Sequence, residues 1–256
     1  MPTGKLRRPR RILVLDIGGT HVKVGLPHRR MVVRIPTGPG FTPEKMVKKL
    51  SRRLRGAPYD AVAIGYPGLV LHGRIVREPH NLGAGWVGFN FEKALGHPTR
   101  IVNDAAMQTI GCYRGGRCLY LGLGAGLGTA MIVDGKVEPM ELAHLPYKKG
   151  RTYEDYVGEN GLKRLGRKKW QKEVFEVVKT LSDALEPDYV ALGGGNSEKL
   201  SKLPPGTEHW DNSCAIKGGV RLWTGLGAET AAGDDLRVPR VSRPAPPRKA
   251  RRGGAV

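Results

Sequence analysis

The stretch "LDIGGTHVKVG" (residues 15–25) joins one apolar run, "RILVLDI", to another through an acid, two glycines and a threonine. Runs this short and continuous read as buried strands, and Gly-Gly between them reads as a hairpin turn. Glycines also let a backbone approach a ligand with its N–H groups turned inward, which suits phosphate oxygens. Asp16, at the end of the first run, could then hold a magnesium ion through water, with Gly18, Gly19 and Thr20 around a phosphoryl group. The plainer alternative is a hairpin with no ligand.

The same device recurs in "LYLGLGAGLGTAMIVDGKV" (residues 119–137), where Gly124, Gly126, Gly128 and Thr129 lie between two strand-like runs. A dinucleotide fingerprint needs a helix after its glycines, and here a strand follows; no G-x-x-x-x-G-K-[ST] loop is present either. A second phosphate-cradling hairpin fits better, and two such hairpins suggest two related half-domains. A third cluster, Gly193, Gly194 and Gly195 in "VALGGGNSEKL" (residues 190–200), is expected to end a strand and open a helix whose amides face a nucleotide or a phosphate chain.

Between the first two clusters lies "IVNDAAMQ" (residues 101–108), in which an apolar pair leads into Asn103 and Asp104 and then a helix-like stretch. Taken alone this is an N-cap, because Asn or Asp before a helix accepts hydrogen bonds from its first N–H groups. Further strand-like runs are "HVKVGL", "MVVRI", "AVAIGY", "RIVN" and "YVALGGG"; helical spacing predicts helices over 43–54, 105–113 and 168–185. In the last, Trp170, Val174, Val177, Val178, Leu181 and Leu185 fall on one face. Strands interleaved with helices imply an α/β fold.

Composition bounds the function. The 256 residues, 39% hydrophobic with 37 Gly and 19 Pro, can bury a core but describe a loop-rich chain. No apolar run reaches the ~18 residues of a membrane span, so a soluble protein without membrane association is expected. Asp16 interrupts the run that follows the basic N-terminus, so a signal peptide is not read there. Cys112, Cys118 and Cys214 are too few and too scattered for a disulfide framework or a four-ligand zinc site, and a reducing, cytoplasmic setting is expected.

The net charge is +20, of which residues 1–11 and 237–256 together supply 12. Segments 1–10 and 231–256 have little to bury and are expected to be disordered tails. "KKGR" (148–151) and "KRLGRKKWQK" (163–172) carry further basic charge. Such surfaces concentrate a polyanion, whether nucleic acid, membrane or polyphosphate, or simply keep the chain soluble.

The order of these pieces resembles the ROK-family sugar kinases of the actin-like ATPase superfamily, and within them the polyphosphate glucokinase branch. "LDIGGTHVKVG" is similar to the first phosphate motif, "IVNDAAMQTIG" to the connecting catalytic motif, "LGLGAGLGTAM" to the second phosphate motif and "YVALGGGNSEKL" to the adenosine motif. "IGYPGLV", "PHNLGAGWVGFNF", "ELAHLPY" and "KLPPGTEHWDNSCAIKGGVRLW" keep the branch's order over residues 11–224.

The resemblance implies a two-lobed actin-like (ribonuclease H-like) fold, with an N-terminal lobe over 11–102 and a C-terminal lobe over 103–230 whose last helix packs back on the first. It implies a glucokinase that moves a terminal phosphoryl group from polyphosphate, ATP or both to the 6-hydroxyl of glucose or a related hexose such as mannose, with Mg2+ as cofactor, in a homodimer. Asp104 becomes the general base. Asn103, Glu141, His144 and Glu154 become sugar-binding residues. A polyol is well read by carboxylates and amides, because each hydroxyl both donates and accepts.

Several positions depart from the branch. Segment 145–158 contains no Cys, so no zinc is expected; Ala106 stands where the branch has Asp, and Ala143 where it has Gly; "DNSCAIKGGVRLW" stands where the branch has a more apolar ending, with Cys214 and Lys217 in unexpected positions. A second reading, a regulatory or nucleic-acid-binding relative, rests on the basic tails. No helix-turn-helix segment is read upstream of Ile12 to support it.

Overall fold

Residues 11–54 and 56–225 are described by a computed structural model. The two basic tails lie outside the described residues. Every apolar run named above forms a strand. Along the chain run β1 (Ile12–Ile17), β2 (His21–Leu26), β3 (Met31–Pro36), α1 (Pro43–Leu54), β4 (Ala61–Tyr66), β5 (Val70–Leu71), β6 (Arg74–Ile75), α2 (Phe91–Leu95), β7 (Thr99–Asn103) and α3 (Asp104–Cys112). There follow β8 (Arg117–Leu123), β9 (Leu127–Val133), β10 (Lys136–Met140), α4 (Tyr153–Val157), α5 (Glu159–Leu185), β11 (Tyr189–Gly193), β12 (Thr207–His209) and α6 (Ser213–Thr224).

Two five-stranded sheets result, ordered β3-β2-β1-β4-β7 and β10-β9-β8-β11-β12. In each, an antiparallel hairpin is extended by parallel strands: β1 pairs antiparallel with β2 and parallel with β4, and β8 pairs antiparallel with β9 and parallel with β11. The first two glycine turns are thus the tips of the first hairpins of the two sheets, whereas the third follows the end of β11. Every residue of β1 and β4 is buried, as expected of central strands covered on both faces.

Alternation along the strands divides the interior. Leu13, Leu15 and Ile17 point into an outer core with Met46 and Leu50 of α1, whereas Ile12 and Val14 point into a central core. In the second sheet Leu119, Leu121 and Leu123 meet Trp170, Val174, Val177 and Val178 of α5, whereas Cys118 and Tyr120 face the central core. That central core is filled by α3 and α6, with Ala106, Met107 and Ile110 against Ala215 and Leu222.

α3 and α6 touch backbone to backbone. A Cβ placed on Gly111 would strike the Cys214 carbonyl, and one on Gly218 would strike the Met107 carbonyl. α6 also rests on the first sheet, with Gly219 against Val14 and the Trp223 indole N–H donating to the Val62 carbonyl at 3.1 Å. The Arg221 guanidinium closes the end of α3 by donating to the carbonyls of Ile110 (2.8 Å) and Tyr113 (3.1 Å).

Three expectations change. Cys112 and Cys214, 102 residues apart, form a disulfide with Cα atoms 5.3 Å apart, because the glycine contact brings α3 and α6 within disulfide reach. Scatter along the sequence therefore did not exclude pairing. The stretch after Gly195 makes only a single 3-10 turn, Ser197–Lys199, rather than a helix. The helix expected over 168–185 is the second of two helical segments in α5, which join at Gly166, whose φ of 72° and ψ of 157° are non-helical; the segment before Gly166 was not expected.

Gly111→Ala should lower stability by about 1–3 kcal/mol, the usual range for overpacking, measured by thermal or denaturant unfolding. Gly124→Ala, where a Cβ would meet nothing within 4 Å, should leave the midpoint unchanged. Non-reducing thiol titration should count one thiol, Cys118, reactive only after denaturation, since burial pushes its pKa up to about 12.

Candidate active site

Three backbone features converge where β1 and β7 end and the β8–β9 hairpin turns. β1 delivers Asp16, which is buried and lies directly opposite Lys23 in the β1–β2 register. The Lys23 ammonium bridges it to the start of α6, donating to Asp16 Oδ2 at 3.0 Å and to Asn212 Oδ1 at 2.8 Å. β7 delivers Asn103 and α3 begins at Asp104.

Asn103 is the N-cap that the sequence suggests. Its side-chain oxygen accepts from the Ala106 N–H at 3.1 Å, and its amide donates to the Gly68 carbonyl at 3.1 Å. One further amide hydrogen remains for a ligand. The cap fixes the first turn of α3 and therefore the direction of Asp104, whose Oδ1 accepts from the Ala105 N–H at 2.8 Å. Gly65 of β4 lets α3 sit close, because a Cβ there would lie 3.3 Å from the Asp104 Cα. Gly128 brings β9 equally close to Ala105.

The Asp104 carboxyl is pushed up to about 7. Burial is the main cause, followed by the negative charge of Asp16; Glu141 acts in the same direction, while the Ala105 N–H and Lys23 oppose it. Asp16, Glu141 and Lys23 therefore share one electrostatic neighbourhood with Asp104. Tyr120, beneath the site, also has its phenol pKa raised, by burial and then by Asp104 and Asp16. Its hydroxyl donates to Gln108 of α3.

Glu141 and His144 follow β10 on a short 3-10 turn, with Nε2 of His144 3.7 Å from Oε2 of Glu141. The His144 ring meets His80 edge to face, centroids 6.4 Å apart, so a loop of the first sheet reaches toward the second. That loop is held by Glu78, whose carboxylate accepts from the N–H groups of Trp86 (3.0 Å) and Val87 (3.1 Å). Asn81 of the same loop lies close to Gly19.

The glycine turns differ in their surroundings. Gly18 N–H is tied to the His21 carbonyl (2.9 Å), and Thr20 is exposed at the tip. In the second turn, Glu154 Oε2 accepts from the Leu127 N–H at 3.1 Å and occupies the space a Gly126 side chain would need. Glu154 is thereby anchored to the hairpin. Gly194, at φ 78°, packs on the Leu123 backbone, and Asn196 donates to the Gly124 carbonyl at 2.9 Å, so the third cluster is stacked on the second. Thr129 is buried, and its hydroxyl is already engaged: it donates to the Met140 carbonyl (2.7 Å) and accepts from the Leu142 N–H (3.2 Å).

Lys23, Asn212, His80 and Tyr120 belong to this neighbourhood and were not singled out from sequence. Only Lys23 had a readable signal, since a hairpin closed at Gly18-Gly19 sets it across from Asp16. Of the positions that depart from the branch, Lys217 is exposed and Ala106 and Ala143 are buried. Ala106 lies fully within the central core and Ala143 is packed beside Leu142, so neither methyl faces the opening.

No protein-family profile matches the chain. A polyphosphate glucokinase of Mycobacterium tuberculosis strain H37Rv is 27% identical over 213 residues, covering 75% of this chain and 80% of that protein. The crystal structure of the inorganic polyphosphate/ATP-glucomannokinase from Arthrobacter sp. strain KM superposes with a TM-score of 0.71 at 25% identity, over 84% of this chain and 98% of that one. A ROK-family glucokinase from Streptomyces griseus, solved with glucose and AMPPNP, gives a TM-score of 0.63 at 17% identity, over 84% and 99%. The chain has the two-lobed actin-like fold of the ROK sugar kinases, and its sequence is similar to that of polyphosphate glucokinases.

Proposed function

We propose that the protein transfers the terminal phosphoryl group of polyphosphate, ATP or both to the 6-hydroxyl of glucose, with mannose as a second acceptor. The observation that carries this reading is Asp104: a carboxylate at the first residue of α3, raised to about 7, set between two glycine turns and beside Glu141. A base with a pKa near neutrality can be unprotonated and still accept a proton from a hydroxyl, which is what phosphoryl transfer to an alcohol demands.

In this reading Glu141 and His144 bind the sugar hydroxyls, joined by the free amide hydrogen of Asn103. Glu154, anchored on Leu127, keeps the second glycine turn in shape while its other carboxylate oxygen faces the sugar. Asp104 takes the proton of the 6-hydroxyl as that oxygen bonds to the terminal phosphorus and the bridging P–O bond to the donor breaks. The turns at Gly18-Gly19, with Thr20, and at Gly124 to Gly128 receive the phosphoryl oxygens, and the Gly193 to Gly195 turn borders the donor. The engaged hydroxyl of Thr129 acts by bracing β9 against the turn that carries Glu141.

Mg2+ suits the first turn. Asp16 and Asp104 are neighbouring carboxylates whose repulsion a cation relieves. Among the described residues no three His, Cys, Asp or Glu side chains group as ligands, so a cation here would rely on Asp16, water and phosphate oxygens, as Mg2+ commonly does. When bound it would neutralise charge on the transferring group.

Among the described residues no helix is long and apolar enough to cross a membrane. We place the activity in the cytoplasm, where nucleotide and polyphosphate donors meet sugar, and take the homodimer from the resemblance.

Glucose 6-phosphate formation from each donor tests the reading directly. Asp104→Asn should lower kcat by about 10²- to 10⁴-fold, the usual contribution of a general base, with glucose affinity by calorimetry nearly unchanged. Near-normal turnover in that variant would remove Asp104 as the base.

The pH dependence has a defined sign. Because the free-enzyme pKa is raised to about 7, kcat/KM should fall as pH drops below that value and Asp104 takes up a proton. Stability should run the other way. The group binds its proton more tightly folded than unfolded, so it opposes folding increasingly from about pH 4 to about pH 7. Asp104→Asn should therefore gain thermal stability over the parent at about pH 8 and not at about pH 4.

A further inference from the structure

Away from Asp104, the described surface carries an open groove of about 610 Å³ between α5 and the segment after β11, lined by Arg167, Lys168, Gln171, Lys172, Phe175, Ser201 and Lys202. Its lining holds four cations and no carboxylate. The walls are tied together: Ser201 donates to the Gln171 side chain through its N–H (2.8 Å) and hydroxyl (2.9 Å), and the Arg167 Nε–H donates to the Lys199 carbonyl. Lys202 sits 5.8 Å from the centre of the Phe175 ring.

Some cations near the groove are paired, and those that line it are not. Lys163 and Lys199 are paired with Glu159, and Lys179 with Asp183, whereas Arg167, Lys168, Lys172 and Lys202 take part in no ion pair among the described residues. Four like charges around one concavity repel one another and raise the local concentration of anions. A relay of bonds links the groove's wall to the second glycine turn. The Glu159 N–H donates to the Gly124 carbonyl at 3.0 Å, its carboxylate lies 3.7 Å from Lys199, and the Lys199 carbonyl holds Arg167.

We propose that this groove binds the distal phosphates of an inorganic polyphosphate chain whose terminal phosphate lies at the glycine turns. The proposal rests on the phosphotransferase reading above. A nucleoside triphosphate places its phosphates at the turns and has none left for the groove. A long chain continues past Gly124 and Lys199 and meets unpaired cations, each of which adds a modest, salt-screened attraction.

The test is the variant Lys168→Ala/Lys172→Ala/Lys202→Ala, all three being exposed residues whose removal should leave the unfolding midpoint unchanged. KM for long-chain polyphosphate should rise by about tenfold, and the slope of its logarithm against log salt should fall by about 2, because three cations no longer meet phosphates. KM for tripolyphosphate and for ATP should stay as in the parent. An equal rise in KM for ATP would overturn the proposal by making the groove a nucleoside subsite. No change for any donor would overturn it by making the groove a solvated basic surface.

Fluorescence polarisation of labelled long-chain polyphosphate reads the groove without turnover. A parent chain that binds this probe but makes no glucose 6-phosphate, with binding abolished in the variant, would support the groove and remove the kinase reading. Binding that the variant retains in full would remove the groove and leave the kinase reading standing.

Discussion

α3 and α6 meet through glycine, and the placement of the reacting carboxylate depends on that contact. Side chains at Gly111 and Gly218 would hold the two helices apart, and with them the two sheets, because both helices fill the central core between β1 and β4 on one side and β8 and β9 on the other. With the helices in backbone contact, Cys112 and Cys214 come within bonding reach and Arg221 covers the last carbonyls of α3. Close packing of this kind leaves little room to relax, so the direction of α3 is fixed at both ends. Its N-terminal end is the one that carries Asp104.

The chemistry follows from what surrounds that end. A carboxylate near the start of a helix is ordinarily favoured by the unsatisfied N–H groups there. Here burial and the neighbouring charge of Asp16 outweigh that preference, and the group moves to about 7 instead of below its usual range. Lys23 moderates the effect while tying Asp16 to Asn212 at the start of α6. The same residue thus links the first glycine turn to the helix that bridges the sheets, and a change at Lys23 would reach both.

Much of this was legible locally. Helix α1 runs over the residues its spacing predicts, since Met46, Leu50 and Leu54 recur at helical intervals and bury one face. The eight apolar runs became strands because they are short, several are continuous, and Gly, Pro or Asp bounds most of them. The first segment of α5 was not legible: residues 159–165 offer only Leu162 and Leu165 as large apolar positions, and Gly166 breaks the helix where the readable 168–185 face begins. Strand β12 is three residues long and holds its place by pairing with β11, which leaves no local pattern to read.

Local sequence sufficed for the strands built on the continuous apolar runs, the three glycine turns, the capped start of α3 and the order of motifs shared with the sugar kinases, because each is a short-range pattern of polarity and backbone freedom. Tertiary structure decided the rest. Whether Asp104 is an ordinary helix-start carboxylate or a base near neutrality depends first on its burial and then on the charge of Asp16, which lies on another element. Whether the cysteines pair depends on two helices 102 residues apart touching without side chains between them. Whether the basic run on α5 is a solvated face or one wall of a groove depends on the segment at Lys199 to Lys202 folding against it. Charge state, covalent pairing and concavity all arise from groups distant in the chain, and only packing brings them together.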